Sequence, residues 1–331
     1  MATSFGVLRR RLFTPPISET TMEVRGFHVK NAEAKARLER IGEIFLQGYA
    51  YAMEASSAAE SEEMLETVPR DMRGFAYEGA GMGAAVHDSL PGHNGRLAGL
   101  LAGRGRHHDY MIYVGIGWAM ARLPKPLWPD IRTTDPLLRW LALDGYGFHQ
   151  AYFKTDAYAR TPEVQHPFRW RGGHNHYTPN AIDQGIGRAL WFVGGTDPDV
   201  VTDLIRAYPE RRHADLYAGA GLACTYAGGV DEGELQRFVD GAGEHRWALA
   251  QGSAFAVEAR VKADTVIEHT HLAARVVCGT TAEQASRVCR ERRPSDGGRG
   301  ASPTYETWRR DVAADLASFS SLSLARKGAD Q

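Results

Sequence analysis

The sequence predicts an all-α fold of about seven helical hairpins, and three observations support this class. A glycine with a small residue two and four places after it recurs seven times, at an average spacing of about 34 residues, the length of a helical-hairpin repeat. Between these glycines, helix-capping residues and apolar residues at helical spacing recur. The chain has no alternating apolar and polar run long enough to build a sheet.

Each of the seven segments has a glycine at its first place and a small residue at its third place, and six of them have a small residue at the fifth place. Places are counted from this lead glycine, and each string below begins one residue before it. In chain order they are QGYAYAM, EGAGMGA, VGIGWAM, DGYGFHQ, QGIGRAL, AGAGLAC and QGSAFAV, led by Gly48, Gly79, Gly115, Gly145, Gly185, Gly219 and Gly252. The fifth place holds Gly or Ala in six copies and His149 in the fourth copy. Because a helical glycine costs roughly 1 kcal/mol relative to alanine, its recurrence predicts closely packed helices. Residues four apart share a helix face, so the first and fifth places are the predicted contact strip.

The first elements follow from prolines and caps. Residues 1–30 are predicted to form an N-terminal arm, because RRRLFTPP carries two prolines and helical spacing begins only after it. Asn31 is the predicted cap of the first long helix. Asp135 followed by Pro136 predicts the start of the helix that carries His149.

Two later segments show the hairpin plan most clearly. Asp197 and Pro198 begin a short helix that Pro209 ends, and a glycine helix follows. Asp231 and Glu234 form a capping box that opens the next short helix, again followed by a glycine helix. This plan predicts stacked hairpins, arranged either as an α/α ring or as an open solenoid.

The C-terminal region is predicted to be separate from the repeats. Thr280 with Glu283 opens a further helix, so the helical-repeat domain is assigned to 31–291. The run RRPSDGGRGASP predicts a flexible linker over 292–303, and 304–331 are assigned to a C-terminal helix and tail.

Composition limits the function classes. With 331 residues and 43 % hydrophobic content, the chain can bury a large core. A net charge of -1 argues against a nucleic-acid partner. The longest apolar stretch, 111–121, is too short to cross a bilayer, and three cysteines without a CxxC pair fit a reducing compartment. We therefore expect a soluble, cytoplasmic protein.

The exception at the fifth place is the first candidate for chemistry. Asp144, His149 and Tyr152 put an acid, a base and a phenol on one predicted helix. This arrangement predicts a catalytic group at His149. The alternative is that His149 is a hydrogen-bonded core histidine that fills a local gap.

A second candidate group is the residue before each lead glycine. Five of these seven positions carry a side-chain oxygen; the set is Gln47, Glu78, Val114, Asp144, Gln184, Ala218 and Gln251. They predict a polar belt that either orients a ligand or makes hydrogen bonds between helices. Glu78 lies in the nearly apolar run FAYEGAGMGAAV, where burial would raise its pKa and suit it to acid or base catalysis.

Further candidates are an ion pair and a set of aromatic residues. Asp183 and Arg188 predict either a structural ion pair or an anion site. The aromatic residues are expected to line a cavity, with core packing as the alternative; they are Trp118, Tyr146, Phe148, Trp191 and Phe255.

Signals for metals and cofactors are weak. Glu-x-x-His, the motif with which ferritin-like proteins hold two irons, occurs at Glu163/His166, Glu210/His213 and Glu268/His271. The first two pairs lie beside prolines that argue against a helix there, and the HNH and HTH segments lack the further spaced ligands of a zinc site. No strand is predicted before the GIG or GYG segments, so these are not dinucleotide fingerprints. We expect neither a metal nor a cofactor.

Long motifs in this chain resemble a known family. They are GFAYEGAGM, GIGWAMARLP, DPLLRWLALDGYGFHQAYF, DQGIGRALWFVGGTDP and ADLYAGAGLACTYAGG. Together they resemble the uncharacterised UnbL-type family associated with enediyne polyketide biosynthesis in actinobacteria, from LRRRLFTP to about Cys278. The motif positions that carry over are Glu78, Asp144, Gly145, Tyr146, Gly147, His149, Tyr152, Phe153, Asp183, Gln184, Gly185, Arg188, Trp191 and Phe192.

The resemblance implies a pathway and leaves the reaction open. It implies a role in building or maturing the enediyne core from an apolar polyene intermediate. It also implies two candidate partners, a membrane protein of the RnfD electron-transport type and an integrin-like repeat protein. The family brings no established reaction.

These observations leave three hypotheses. The first is an enzyme that encloses a linear polyene and uses Glu78, Asp144 and His149 for proton transfer during rearrangement or cyclisation. The second is a noncatalytic adaptor or carrier, and the third is a metal-dependent oxidase. A closed cavity lined by His149 and aromatic residues would favour the first, whereas an open concave surface with His149 buried in helix packing would favour the second. A homodimer remains an open alternative.

Overall fold

A computed structural model of the chain describes residues 10, 14–92, 95–131, 134–161, 167, 169–170, 173–295 and 302–329, and these are all-helical without a strand. Up to the middle of the chain the helices are α1 (Met22–Arg25), α2 (Ala32–Glu54), α3 (Ala58–Leu65), α4 (Arg73–Asp88), α5 (Arg96–Ala102), α6 (Asp109–Arg122) and α7 (Leu141–Phe153). They continue with α8 (Thr178–Val193), α9 (Pro198–Arg206), α10 (His213–Tyr226), α11 (Glu232–Ala242), α12 (Arg246–Lys262), α13 (Glu268–Val276), α14 (Ala282–Glu291) and α15 (Thr304–Ala329). Within this described part, no helix combines the length and the apolar character needed to cross a membrane.

The recurring glycines bring seven long helices together in chain order. These glycine helices are α2, α4, α6, α7, α8, α10 and α12, and each packs along the next. A Cβ on Gly185 would overlap the carbonyl oxygen of Asp144 in α7, and a Cβ on Gly187 would overlap that of Leu216 in α10. Residues two apart point about 200° apart on a helix, so the first glycine faces the preceding helix and the third-place glycine faces the following one.

This alternation corrects the predicted contact strip. The pairs Gly115/Gly117, Gly145/Gly147 and Gly219/Gly221 make the same two backbone approaches. The close contacts therefore follow the first and third places, whereas the sequence analysis assigned them to the first and fifth. The physical reason is that each helix has two neighbours on opposite sides rather than one.

The alignment of the first copy is also shifted. Gly48 lies against the carbonyl of Ala76 in the following helix, which is the contact of a third-place glycine. In return, Gly79 lies against the carbonyl of Phe45. Gly48 is therefore the third place of this copy, and Leu46, two residues earlier, is its first place. Because α2 begins the row and has no preceding glycine helix, this position does not need a glycine.

Most predicted helix starts are confirmed. The Asn31 side chain accepts a hydrogen bond from the Ala34 amide, and Asp231 with Glu234 forms the complete capping box. Thr281, one residue after the predicted position, caps α14. The hairpin plan is not uniform, however, because short 3-10 helices rather than α-helices precede α7 and α8; they are Leu138–Trp140 and Asn175–Tyr177.

Both chain ends pack onto the glycine helices. Residues 14–27, here called the N-terminal strap, lie against α2, where a Cβ on Gly42 would overlap the side chain of Thr20. At the other end, α15 buries Tyr305, Trp308 and Leu316, and the Trp308 ring lies 4.5 Å from that of Phe255. Residues 1–9 and 11–13 of the predicted arm, and 296–301 of the predicted linker, lie outside the described residues.

Candidate functional site

An aromatic cavity of about 60 Å³ lies between six of the glycine helices. Its aromatic lining consists of Phe45, Phe75, Trp118, Phe148, Tyr152, Phe153, Phe192 and Tyr226. Pro15, Glu19 and Thr20 of the N-terminal strap also line the cavity. Ligand pockets usually exceed about 300 Å³, so this cavity is smaller than a typical ligand pocket. A long ligand requires movement of the strap or of the aromatic side chains.

One buried charged cluster reaches this cavity. Glu78 from α4 and Arg188 from α8 line it, and Asp144 from α7 lies behind Arg188. Arg188 Nη1 donates to Asp144 Oδ1 at 2.5 Å, while Arg188 Nη2 lies 3.9 Å from Glu78 Oε2. All three side chains are at least nine-tenths buried. Two carboxyl groups therefore share one guanidinium.

The two carboxyl groups have raised pKa values but differ in how closely they contact Arg188. Burial raises the pKa of Glu78 to about 7, opposed by Arg188 and by the indole N–H of Trp118 and reinforced by Asp144. Burial also raises the pKa of Asp144, against the ion pair and hydrogen bond with Arg188. Because Asp144 has the short bond to Arg188, we assign the persistent negative charge to Asp144 and the exchangeable proton to Glu78.

His149 lies beside the cavity and does not line it. Its ring packs 5.5 Å from Trp118 and 4.6 Å from Phe153, centre to centre. Burial lowers its pKa to about 3, helped by the charges of Arg122 and Lys154, so the imidazole is neutral. Residues five apart on a helix point about 140° apart. The predicted grouping of Asp144 with His149 therefore does not form.

The other predicted site residues divide into two sets. Those that line the cavity with Glu78 are Trp118, Phe148, Tyr152 and Arg188. Four others bond elsewhere. Tyr146 accepts a hydrogen bond from Gln150, and Asp183 forms an ion pair with Arg212. Gln184 donates to Asp215, and Trp191 donates to the carbonyl of Gly228. Phe255 packs against Trp308 and also lies away from the cavity. Burial raises the pKa of Asp183 to about 6.

A periodic signal for the cavity lining was present in the sequence. Residues three places after a lead glycine line the cavity in successive helices; they are Met82, Trp118, Phe148, Arg188 and Leu222. Residues seven places after it continue the same face; they are Arg122, Tyr152, Phe192 and Tyr226. Positions one place before, three after and seven after share one helix face. Trp118, Phe148, Tyr152 and Arg188 were predicted one by one, without the periodic face that joins them to the other cavity residues.

The chain matches a known protein family along nearly its whole length. The sequence model of a family described as "Protein of unknown function (DUF1702)" matches residues 4–316. The chain belongs to this family. Searches among curated proteins and among solved structures found no match. The match includes all seven glycine helices of this DUF1702 protein, its cavity and the buried part of α15.

A second polar cluster in this DUF1702 protein attaches α15 to the glycine helices. Arg309 donates to Gln251 Oε1 at 3.0 Å and to Asp215 Oδ1 at 2.8 Å. Tyr305 donates to Gln184 Oε1 at 3.1 Å. The predicted polar belt is therefore divided: Glu78 and Asp144 flank Arg188, whereas Gln184 and Gln251 make the interhelical hydrogen bonds weighed as the alternative.

The metal hypothesis has no geometric support in the described part of this DUF1702 protein. Within that part, no group of three or more His, Cys, Asp or Glu side chains is arranged to hold an ion. Glu163 and His166, one of the predicted pairs, lie outside the described residues.

Proposed function

We propose that this DUF1702 protein acts in enediyne biosynthesis by binding an apolar polyene in the aromatic cavity and exchanging a proton with it at Glu78. The pathway comes from the sequence resemblance. The observation that carries the chemistry is a buried carboxyl group, with its pKa near 7, at the wall of an aromatic cavity. General acids work best when their pKa lies near the operating pH.

The proposed reaction is redox-neutral and uses only this chain's residues. The protonated Glu78 gives its proton to a carbon of one double bond, so an O–H bond breaks and a C–H bond forms. The resulting cation is delocalised along the polyene and stabilised by the faces of the surrounding rings. Loss of a different proton, taken up by the Glu78 carboxylate, completes a double-bond shift or a ring closure.

Two further groups set up this step. Asp144 neutralises Arg188 and keeps its guanidinium beside Glu78, which makes Asp144 a positioning residue. The N-terminal strap covers the cavity, where Tyr152 donates to the carbonyl of Thr20 at 3.5 Å. A closed strap excludes water that would otherwise quench a cationic intermediate.

A noncatalytic carrier is the second candidate function. The burial of His149 in helix packing favours it, because this was one of the two features expected of a carrier, the other being an open concave surface. In either function, we propose that the protein works in the cytoplasm together with the membrane electron-transport-type protein and the integrin-like repeat protein implied by the resemblance.

Conversion of the cognate polyene by two matched variants separates these functions. Glu78→Gln keeps the shape of the side chain and removes its proton chemistry, so we expect conversion to fall by about 100-fold or more. Glu258→Gln is the control, because Glu258 is also buried but bonds Ser286 and Arg290 away from the cavity. Equal conversion by both variants, as measured by chromatography of the products, would exclude Glu78 from catalysis.

A further inference from the structure

We infer that the cavity selects ligands by charge, accepting neutral and positively charged apolar molecules and rejecting carboxylates of the same size. This inference rests on the proposed use of the cavity as a ligand site. It names the chemical class of that ligand, which the family match and the proton chemistry leave open.

The charged cluster of Glu78, Asp144 and Arg188 has no unpaired positive charge with which to bind a ligand carboxylate. Arg188 is the guanidinium that lines the cavity there, and Asp144 already holds it through a 2.5 Å hydrogen bond. Glu78 adds a second carboxyl group 3.9 Å from the same guanidinium. With Glu78 ionised, the cluster carries one net negative charge, so a ligand carboxylate beside it meets repulsion and loses its hydration.

The surrounding charged groups do not reverse this balance. Glu19, a cavity-lining residue, is paired with Arg25 of the N-terminal strap at 3.0 Å. Arg122 also lines the cavity but is exposed to solvent, which screens its charge. Arg260 lies behind the ring of Tyr226, at 4.2 Å, and donates to backbone carbonyls including that of Asp71. Beyond Asp144, Arg309 bonds two acidic side chains, Asp215 and Glu306. The titratable tyrosines at the cavity, Tyr152 and Tyr226, have raised pKa values because of burial and stay neutral.

Two arginine side chains of the protein lie near aromatic rings that line the cavity. Arg188 lies 5.2 Å from the centre of the Phe148 ring, and Arg25 of the N-terminal strap lies 5.1 Å from that of Phe153. Ring faces carry partial negative charge and attract cations, most strongly where water is excluded. A ligand cation at the wall of this cavity therefore gains both from the rings and from the extra carboxylate.

One unused donor provides an independent indication of a polar ligand atom. The Trp118 side chain lines the cavity and is more than nine-tenths buried. Its Nε1 makes no hydrogen bond of full geometry among the described residues, and its weaker interaction with Glu78 lowers the pKa of that carboxyl group. Buried donors without partners are rare in native proteins. A neutral hydroxyl can accept from Trp118 and donate to Glu78 at the same time.

Three probes of equal length test the inference: 4-phenylbutanol, 4-phenylbutylammonium and 4-phenylbutyrate. Their dissociation constants are measured by ligand-observed NMR titration with the full chain at pH 8.5, where Glu78 is ionised. We expect the alcohol and the ammonium to bind at least about tenfold more tightly than the carboxylate. Lowering the pH to 5.5 protonates Glu78, and the preference for the ammonium should fall by a similar factor.

The variants show whether Glu78 causes the preference. In Glu78→Gln the ammonium should lose about tenfold of its advantage over the carboxylate, and pH should no longer change it. Glu258→Gln should keep the wild-type order of affinities. Tightest binding of the carboxylate to the wild type, or an unchanged order in Glu78→Gln, would overturn the inference while leaving the cavity as a ligand site. Failure of all three probes to bind would instead contradict the proposed function itself.

Discussion

At the residue scale, Glu78 and Asp144 show how one arginine gives two acids different roles. Both residues directly precede a lead glycine, so both face the interior of the row of helices. Arg188 forms its short hydrogen bond with Asp144 and only a longer contact with Glu78. The geometry therefore leaves Glu78 as the group that exchanges a proton near neutral pH.

The first prediction concerns stability and pH. The Glu78 pKa is raised from 4.5 to about 7 in the folded state, so folding is favoured while Glu78 is protonated. This contribution is complete below pH 4.5 and is lost as pH rises through 7; it amounts to about 3 kcal/mol. Glu78→Gln should therefore gain about 3 kcal/mol relative to wild type between pH 4.5 and pH 8. Urea unfolding at several pH values measures this, and a pH-independent difference would contradict it.

The second prediction concerns His149. Its imidazole is buried among Trp118 and Phe153 and stays neutral, with a pKa of about 3. Replacing it by the apolar ring of His149→Phe should cost less than about 1.5 kcal/mol and leave polyene conversion within about twofold of wild type. Thermal unfolding and a conversion assay check both points. A loss of conversion like that expected for Glu78→Gln would restore His149 as a catalytic residue.

At the element scale, the glycine helices depend on contacts between backbones. Gly185 and Gly187 illustrate the rule, because one contacts the preceding helix and the other the following helix. A side chain at such a position meets a carbonyl of another helix, which cannot move without shifting that helix. Close backbone packing explains why glycine recurs despite its low helix propensity.

The third prediction tests this contact with two glycine-to-alanine changes. Gly185→Ala places a methyl group against the Asp144 carbonyl and should destabilise the protein by about 3 kcal/mol. Gly233→Ala is the matched control, because Gly233 lies in helix α11 with only the Asp231 side chain nearby. It should raise stability by up to about 1 kcal/mol through better helix propensity. Equal effects of the two changes in urea unfolding would refute the packing rule.

The elements that the sequence predicted well are those set by local interactions. Asn31 and the Asp231–Glu234 box bond amides within one helical turn, so their residue types alone identify them. The register of the first copy was wrong because Gly48 takes its role from Ala76 in another helix. The place of His149 beside the cavity rather than in its wall was not predictable, because a departure from a repeat does not show which way the side chain points.

At the scale of the whole molecule, the segments near both chain ends cover buried parts of the glycine helices. The N-terminal strap covers the cavity, and α15 covers the polar cluster of Gln184 and Gln251. Neither docking was predictable, because the flanking PP and GGRG segments show only that regular helix is interrupted there. Glu78, Trp118, Phe148, Tyr152 and Arg188 were singled out from the sequence one by one, whereas their grouping around one cavity needed the helix arrangement.

The fourth prediction tests whether α15 belongs to the folding unit. Removing residues 302–331 exposes Phe255 and leaves Gln184, Gln251 and Asp215 without their bonds to Tyr305 and Arg309. We expect this truncation to lose cooperative thermal unfolding. Removing only 320–331 is the control, because it keeps every buried side chain that the structure describes in α15, the last of which is Leu316. Cooperative unfolding at an unchanged midpoint in the longer truncation would show that α15 is dispensable.

The central claim is that Glu78 delivers a proton to the carbon skeleton of a polyene in the cavity. Its most direct test is to incubate the protein with the cognate polyene in D₂O and determine deuterium in the product by mass spectrometry. Wild type and Glu258→Gln should place one deuterium on a former polyene carbon, while Glu78→Gln should yield no deuterated product. A wild-type product without deuterium, or equal labelling by Glu78→Gln, would contradict the claim.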